Sequence, residues 1–279
     1  MRNALALHRL VAAFIAVGML VAGCGQSLPA APGESPGAGS IATSNVPPST
    51  APATMPAGTI YRNSASGRSE VVVEDIARTA VLIGDSQSEP ASSWPRMALA
   101  AQGYRVHFCG RGGTGFVSSS GTTGNYVEAL LRGDWLLPYG SPPLLVIQGG
   151  GNDASRGATD EQISANAAQL ITSIRQRYPD ARLVMVGTLA RGAADGAGRR
   201  TEVDTLLGLV AARHSIPFVS VGDWLSRYAL TKSMTDGVHM APEGHTALGV
   251  LLARRLDWLG LRAADPQPAA SEPAAPAVR

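Results

Sequence analysis

Cysteine is almost missing from this sequence: only Cys24 and Cys109 occur in 279 residues. Two thiols, one of them close to the N-terminus, exclude the disulfide framework of a small stapled domain. Lysine is scarcer still. Lys232 is the single one, so the basic charge is almost all arginine. Aromatic residues make up 5% of the chain, and no stretch gathers Lys/Arg with interleaved aromatics. That removes the footprint of a nucleic-acid reader. Arg2 and Arg9 account for the formal net charge of +2, because from Cys24 onward there are 21 basic and 21 acidic residues. The apolar run at residues 10–22 has 13 residues, whereas a permanent membrane helix needs about 20. There are no internal repeats.

What is present begins with an address. A start carrying two Arg, a short apolar run and then small residues describe a secretory signal. Within it, Val21-Ala22-Gly23-Cys24 resembles the bacterial lipobox, which implies a diacylated Cys24 as the first residue after cleavage of 1–23. The alternative is an ordinary signal with a chance Cys. Acyl chains contribute about 0.8 kcal/mol per buried methylene, so several of them anchor stably. The expected location is the outer face of the bacterial cell membrane. Residues 24–58 are rich in Pro, Ala, Gly, Ser and Thr and read as a disordered tether. Residues 59–262 form the expected domain, and 263–279 a disordered Pro/Ala tail. Lipidation of Cys24 leaves Cys109 unpaired, and its place after an apolar run marks a structural thiol.

Within the domain, apolar runs, and alternation at 104–108, predict five main strands at 79–84, 104–108, 144–147, 182–187 and 217–222. Residues 70–78 offer a weak leading strand. Helical spacing predicts helices over 93–102, 126–131, 203–214 and 242–259, with Pro242 in the first turn of the last one. Thr159 and Gln162 form a capping box that opens another helix, running to Tyr178. Residues 110–124 and 191–200 read as loops. Alternation of strand and helix predicts a parallel sheet with helices on both faces.

The strand ends carry the chemistry. Gly84-Asp85-Ser86-Gln87-Ser88 follows the first strand. Taken alone it is equally a nucleophile turn or a helix cap. Gly112-Gly113-Thr114-Gly115 follows the second strand, Gly150-Gly151-Asn152-Asp153 the third, and Asp236 and His239 lie beyond the fifth. In open α/β sheets ligands bind outside the carboxyl ends of the strands. A serine hydroxyl is a weak nucleophile and needs a base. His239 supplies one, and Asp236, three residues earlier, can orient its ring and leave Nε2 for Ser86. The N–H groups of Ser86 and of the glycine turn, with the Asn152 amide, are candidate oxyanion donors. His107, His214 and His245 sit in a strand, at a helix end and inside a helix, and are weaker candidates. The four tryptophans read as core or rim.

These blocks resemble those of the SGNH hydrolase superfamily, the GDSL-type esterases and lipases, over residues 79–259. The resemblance implies a flavodoxin-like three-layer α/β/α sandwich with a five-stranded parallel sheet. It implies Ser86 as nucleophile, with His239 and Asp236 completing the triad. It implies Ser86, Gly113 and Asn152 as the oxyanion hole, and neither metal nor organic cofactor. Gln87 stands where the family has Leu, a change that leaves the nucleophile untouched. The usual Asn before the second block's Gly is missing from Cys109-Gly110-Arg111, which keeps Gly115 open beside Gly113. The expectation is an exported, monomeric serine esterase acting on small-molecule, glycan or lipid esters, bound to the membrane through Cys24 and not to nucleic acid. An acyltransferase or deacetylase acting on cell-envelope glycans or lipids, and a non-catalytic binding lipoprotein, are the alternatives.

Overall fold

The computed structural model describes residues 55–265, apart from 65 and 197. The signal, Cys24, most of the tether and most of the tail lie outside the described residues. The described chain opens with a two-stranded antiparallel hairpin, β1 (Ile60–Arg62) and β2 (Ser69–Val71). The sequence suggested one weak strand here; each arm is only three residues long, too short for a visible alternation. Buried Glu70 ties the hairpin down through an ion pair with Arg177 at 2.7 Å. Residues 76–78, read as part of that strand, form a 3-10 turn.

The main sheet contains β3 (Thr79–Gly84), β4 (Arg105–Gly110), β5 (Leu144–Gln148), β6 (Arg182–Val186) and β7 (Phe218–Val219). The order is β4-β3-β5-β6-β7, and every pairing is parallel. This is the flavodoxin-like order, with the topological switch point between β3 and β5. The strands interleave with α1 (Trp94–Ala101), α2 (Tyr126–Arg132), α3 (Gly151–Ser155), α4 (Asp160–Arg177), α5 (Gly198–Arg213), α6 (Trp224–Arg227) and α7 (Pro242–Trp258).

Both faces of the sheet are covered, so its central strands β3, β5 and β6 are near-continuous apolar runs, as buried parallel strands require, whereas the edge strand β4 carries Arg105 and His107. Ala80, Leu82, Leu144, Val146, Val184 and Val186 face one core with Trp94, Leu99, Leu248 and Leu252 of α1 and α7. Val81, Ile83, Leu145, Ile147 and Met185 face the other with Tyr126, Ile163, Leu170 and Leu207 of α2, α4 and α5. Each such side chain stabilises the fold by about 1.5–3 kcal/mol through burial. Among the described residues no helix is long and apolar enough to cross a membrane.

Several boundaries differ from expectation. The capping box of Thr159 and Gln162 forms as expected. α5 starts at Gly198, five residues before the apolar stripe does, so Arg199 and Arg200 are helical and not in a loop. β7 holds two residues, not six, because Pro217 brings no N–H to a ladder and the chain leaves the sheet at Ser220. His239 does not follow the last strand directly. α6 and a 3-10 turn at Leu230–Ser233 intervene.

Candidate active site

β3 ends at Gly84, and the next turn is held by Asp85. Its side chain accepts the Gln87 N–H at 2.9 Å, and its carbonyl accepts the N–H groups of Ser88 and Glu89, each at 2.9 Å. This Asx-type turn leaves half-buried Ser86 at its tip. Asp85 is itself fully buried, and burial pushes its carboxyl up to about 6 against the Gln87 hydrogen bond and the Arg200 charge. It does not contact His239.

His239 lies in a short exposed loop pinned at both ends. Met234 and Met240 form an antiparallel bridge, and the Ala241 N–H donates to the Ser233 carbonyl at 2.7 Å. Inside the loop the Asp236 carboxylate accepts the backbone N–H groups of Val238 (2.7 Å) and His239 (2.6 Å) with Oδ1. Oδ2 lies 2.8 Å from His239 Nδ1. The bond to the imidazole, then those two backbone donors, hold the Asp236 carboxyl down at about 2. The same ring presents Nε2 to Ser86 Oγ at 3.0 Å. Ser86, His239 and Asp236, 153 residues apart at the extremes, thus form one hydrogen-bonded line.

Gln87 joins the two halves of this line. Its Nε2 donates to the Val238 carbonyl at 2.8 Å, and its Oε1 accepts the Trp94 indole N–H at 3.3 Å. The reading of Gln87 as a change that leaves the nucleophile untouched did not extend to this bridge. An amide at that position was the available signal, since a buried Gln needs partners.

The glycine turn after β4 lies against Ser86: a Cβ built on Gly112 would approach Ser86 Cβ to 3.4 Å. Gly113 has φ +83°, a left-handed conformation that suits glycine. Among the described residues its N–H has no partner, and neither has that of Ser86. The Gly115 N–H is already donated to the Ser118 carbonyl at 2.9 Å, which leaves Gly113 as the open donor of the two. The turn is organised from below by Asp153, whose buried carboxylate accepts the N–H groups of Phe116, Val117 and Ser118 at 2.8–2.9 Å. Asn152 precedes it in α3. Its Nδ2 donates to the Thr114 carbonyl at 2.9 Å and lies 3.5 Å from Asp85 Oδ2. α3, which the sequence did not predict, begins after Gly150 in a left-handed conformation, φ +99°.

The other histidines stand apart from this line. His107 bonds the Leu136 carbonyl at 2.7 Å, and His245 Nδ1 accepts the Trp94 N–H at the start of α1. Trp94 and Trp224 are core, Trp135 is half-buried, and Trp258 is exposed. Cys109 is buried, and burial raises its thiol well above the usual range.

Residues 79–247 match the GDSL-like Lipase/Acylhydrolase family. No curated protein matches the chain. Among solved structures it is similar to a carbohydrate esterase family 2 enzyme with a carbohydrate-binding domain from Corynascus thermopiles (Myceliophthora fergusii). That pair shares 18% identity over 70% of each chain, with a TM-score of 0.52. A family two carbohydrate esterase from Cellvibrio japonicus is 14% identical over 69% of this chain and 66% of its own, with a TM-score of 0.52. A catalytic mutant of an acetylxylan esterase from Geobacillus stearothermophilus is 13% identical over 64% of this chain and 94% of its own, with a TM-score of 0.51. At these identities the structures speak for the α/β fold. The family match spans every strand of the parallel sheet, the Ser86 turn and the His239 loop, and on that ground the chain belongs to the GDSL-like lipase/acylhydrolase family of ester-cleaving serine hydrolases.

Proposed function

We propose that the protein hydrolyses carboxylic esters through a Ser86-His239-Asp236 acyl-enzyme mechanism, outside the cytoplasm and tethered by a lipid on Cys24. The observation that carries the mechanism is the unbroken line from Asp236 Oδ2 through both ring nitrogens of His239 to Ser86 Oγ, at 2.8 and 3.0 Å. In this mechanism Oγ attacks the ester carbonyl as its proton passes to Nε2. Asp236, held ionised, keeps the Nδ1 proton in place and stabilises the imidazolium. The oxyanion collects the two open N–H groups, of Ser86 and Gly113, and the second amide proton of Asn152. Nε2 then returns its proton to the leaving alkoxide as the C–O bond breaks. Water, deprotonated by the same nitrogen, repeats the sequence on the acyl-enzyme and releases the acid.

Glycan esters are a natural substrate class, in keeping with the carbohydrate esterases among similar structures. The lipobox-like Val21-Ala22-Gly23-Cys24 supports the anchor. The deciding experiment is turnover of p-nitrophenyl acetate. Ser86→Ala is expected to abolish it, together with labelling by a fluorophosphonate probe. Undiminished turnover in that variant overturns the mechanism. Cys24→Ser is expected to move the protein from the detergent phase to the aqueous phase, and retention in the detergent phase overturns the anchor.

A further inference from the structure

A small cavity of about 160 Å³ lies directly behind the His239 loop. Gly237 and Val238, the two residues between Asp236 and His239, form one wall, and Leu225 and Met234 add apolar surface. Arg191 and Arg200 also line the cavity, and no carboxylate is among its described lining residues. One water takes about 30 Å³, so a carboxylate or phosphate group fits with a water or two.

Arg200 is half-buried, yet among the described residues it makes no ion pair. Its Nε donates to the Leu189 carbonyl at 3.3 Å, and Nη1 reaches the Gly151 carbonyl and Ser155 Oγ, both at 3.4 Å. Nη2 has no partner among the described residues. Its neighbour on the helix behaves differently: Arg199 pairs with Asp160 at 2.6 Å and Glu202 at 3.4 Å. The guanidinium packs closely against Gly151, the residue before Asn152: a Cβ there would run into Nη2. Burial works against the Arg200 charge, and Asp85 alone offsets it from a distance. A half-buried cation with an unused donor edge gains when something negative meets it.

We propose that this cavity is a subsite for an anionic group, carboxylate or phosphate, carried by the ester substrate. Arg200 is its half-buried anchor and exposed Arg191 its rim. The proposal rests on the esterase reading of Ser86 and gives it a substrate class. A planar guanidinium with a free edge recognises such oxygens with two parallel N–H bonds.

The test compares each charged ester with its own neutral methyl ester on the full-length protein. Mono-p-nitrophenyl succinate carries the carboxylate on the acyl side, and 4-acetoxybenzoate carries it on the alcohol side. For at least one pair the wild-type kcat/KM ratio, charged over neutral, is expected to be tenfold or more. In Arg200→Gln that ratio falls towards one, Arg200→Lys restores part of it, and Arg191→Gln lowers it several-fold. A wild-type ratio at or below one for both pairs overturns the subsite. So does a ratio unchanged in Arg200→Gln, which marks Arg200 as structural. Should Arg200→Gln fold poorly, exposed Arg191→Gln carries the same comparison. If the wild-type protein hydrolyses none of these esters, the esterase reading falls instead. Calorimetric titration with inorganic phosphate then decides the cavity: binding weakened tenfold in Arg200→Gln supports it, and no binding to the wild-type protein overturns it.

Discussion

Asn152 spends one amide proton on the Thr114 carbonyl and holds the other within 3.5 Å of a buried carboxyl oxygen of Asp85. A long, marginal contact of this kind is readily exchanged for a developing oxyanion. Asn152→Ala is therefore expected to lower kcat by roughly 10²–10³ with KM for p-nitrophenyl acetate little changed. A loss below tenfold removes Asn152 from the hole. Asp85 makes a second prediction at this scale. Its carboxyl sits at about 6 in the folded protein against 3.8 otherwise. Between those values the folded state binds more protons than the unfolded one, so stability falls as pH rises through the window, by about 3 kcal/mol in all. Asp85→Asn keeps an acceptor for the Gln87 N–H and removes the titration. Urea unfolding from pH 3.5 to 7 should show the variant gaining on the wild type by that order. A parallel pair of stability curves speaks against it. The residues of the line were legible because each stands in a short motif, Ser86 at a strand end and Asp236 and His239 three residues apart in one loop. Gln87 was not, since its bridge joins two loops 151 residues apart that no local pattern connects.

The glycine-rich segment after β4 is the element that shapes the proposed oxyanion hole. Its composition marked it as a loop, but not what shapes it. Three consecutive N–H groups converge on one buried carboxylate, Asp153, from a different strand end. Removing that acceptor leaves three donors without partners at about 1–3 kcal/mol each. Asp153→Ala is expected to cost several kcal/mol in chemical denaturation and to lower kcat at least tenfold, because the Gly113 N–H is displaced with the turn. Asp153→Asn, which keeps one acceptor oxygen, should fall between the two. Normal turnover in a folded Asp153→Ala protein argues against this role for the loop. The start of α5 escaped prediction for a related reason. Its first turn is Gly-Arg-Arg-Thr, with no apolar stripe before Val203, and tertiary contacts of Arg199 and Arg200 hold it helical.

At the scale of the whole molecule, the fold class was the most legible feature. Strands buried on both faces read as unbroken apolar runs, and helices between them force parallel order. The hairpin of β1 and β2 was legible only as one weak strand, being short and held by tertiary contacts: the buried Glu70–Arg177 ion pair, the Arg68 bond to the Leu130 carbonyl and edge hydrogen bonds to residues 137–139. The placement of His239 was legible only in part: the motif was evident, the detour through α6 was not. Cys109, inside the sheet and completely buried, reports on the integrity of the whole. In a Cys24→Ser protein it is expected to ignore Ellman's reagent under native conditions and to react once per chain in denaturant, at rates set by opening of the sheet. Rapid reaction of the native protein contradicts that packing.

The scarcity of lysine has a practical consequence. Lys232 lies exposed in the 3-10 turn that leads into the Met234–Met240 bridge, seven residues before His239. An amine-directed fluorophore has one side chain to choose from in the entire polypeptide. It would sit on the approach to the histidine loop, a ready-made optical sensor for ligands arriving at the cleft, with no cysteine engineering required.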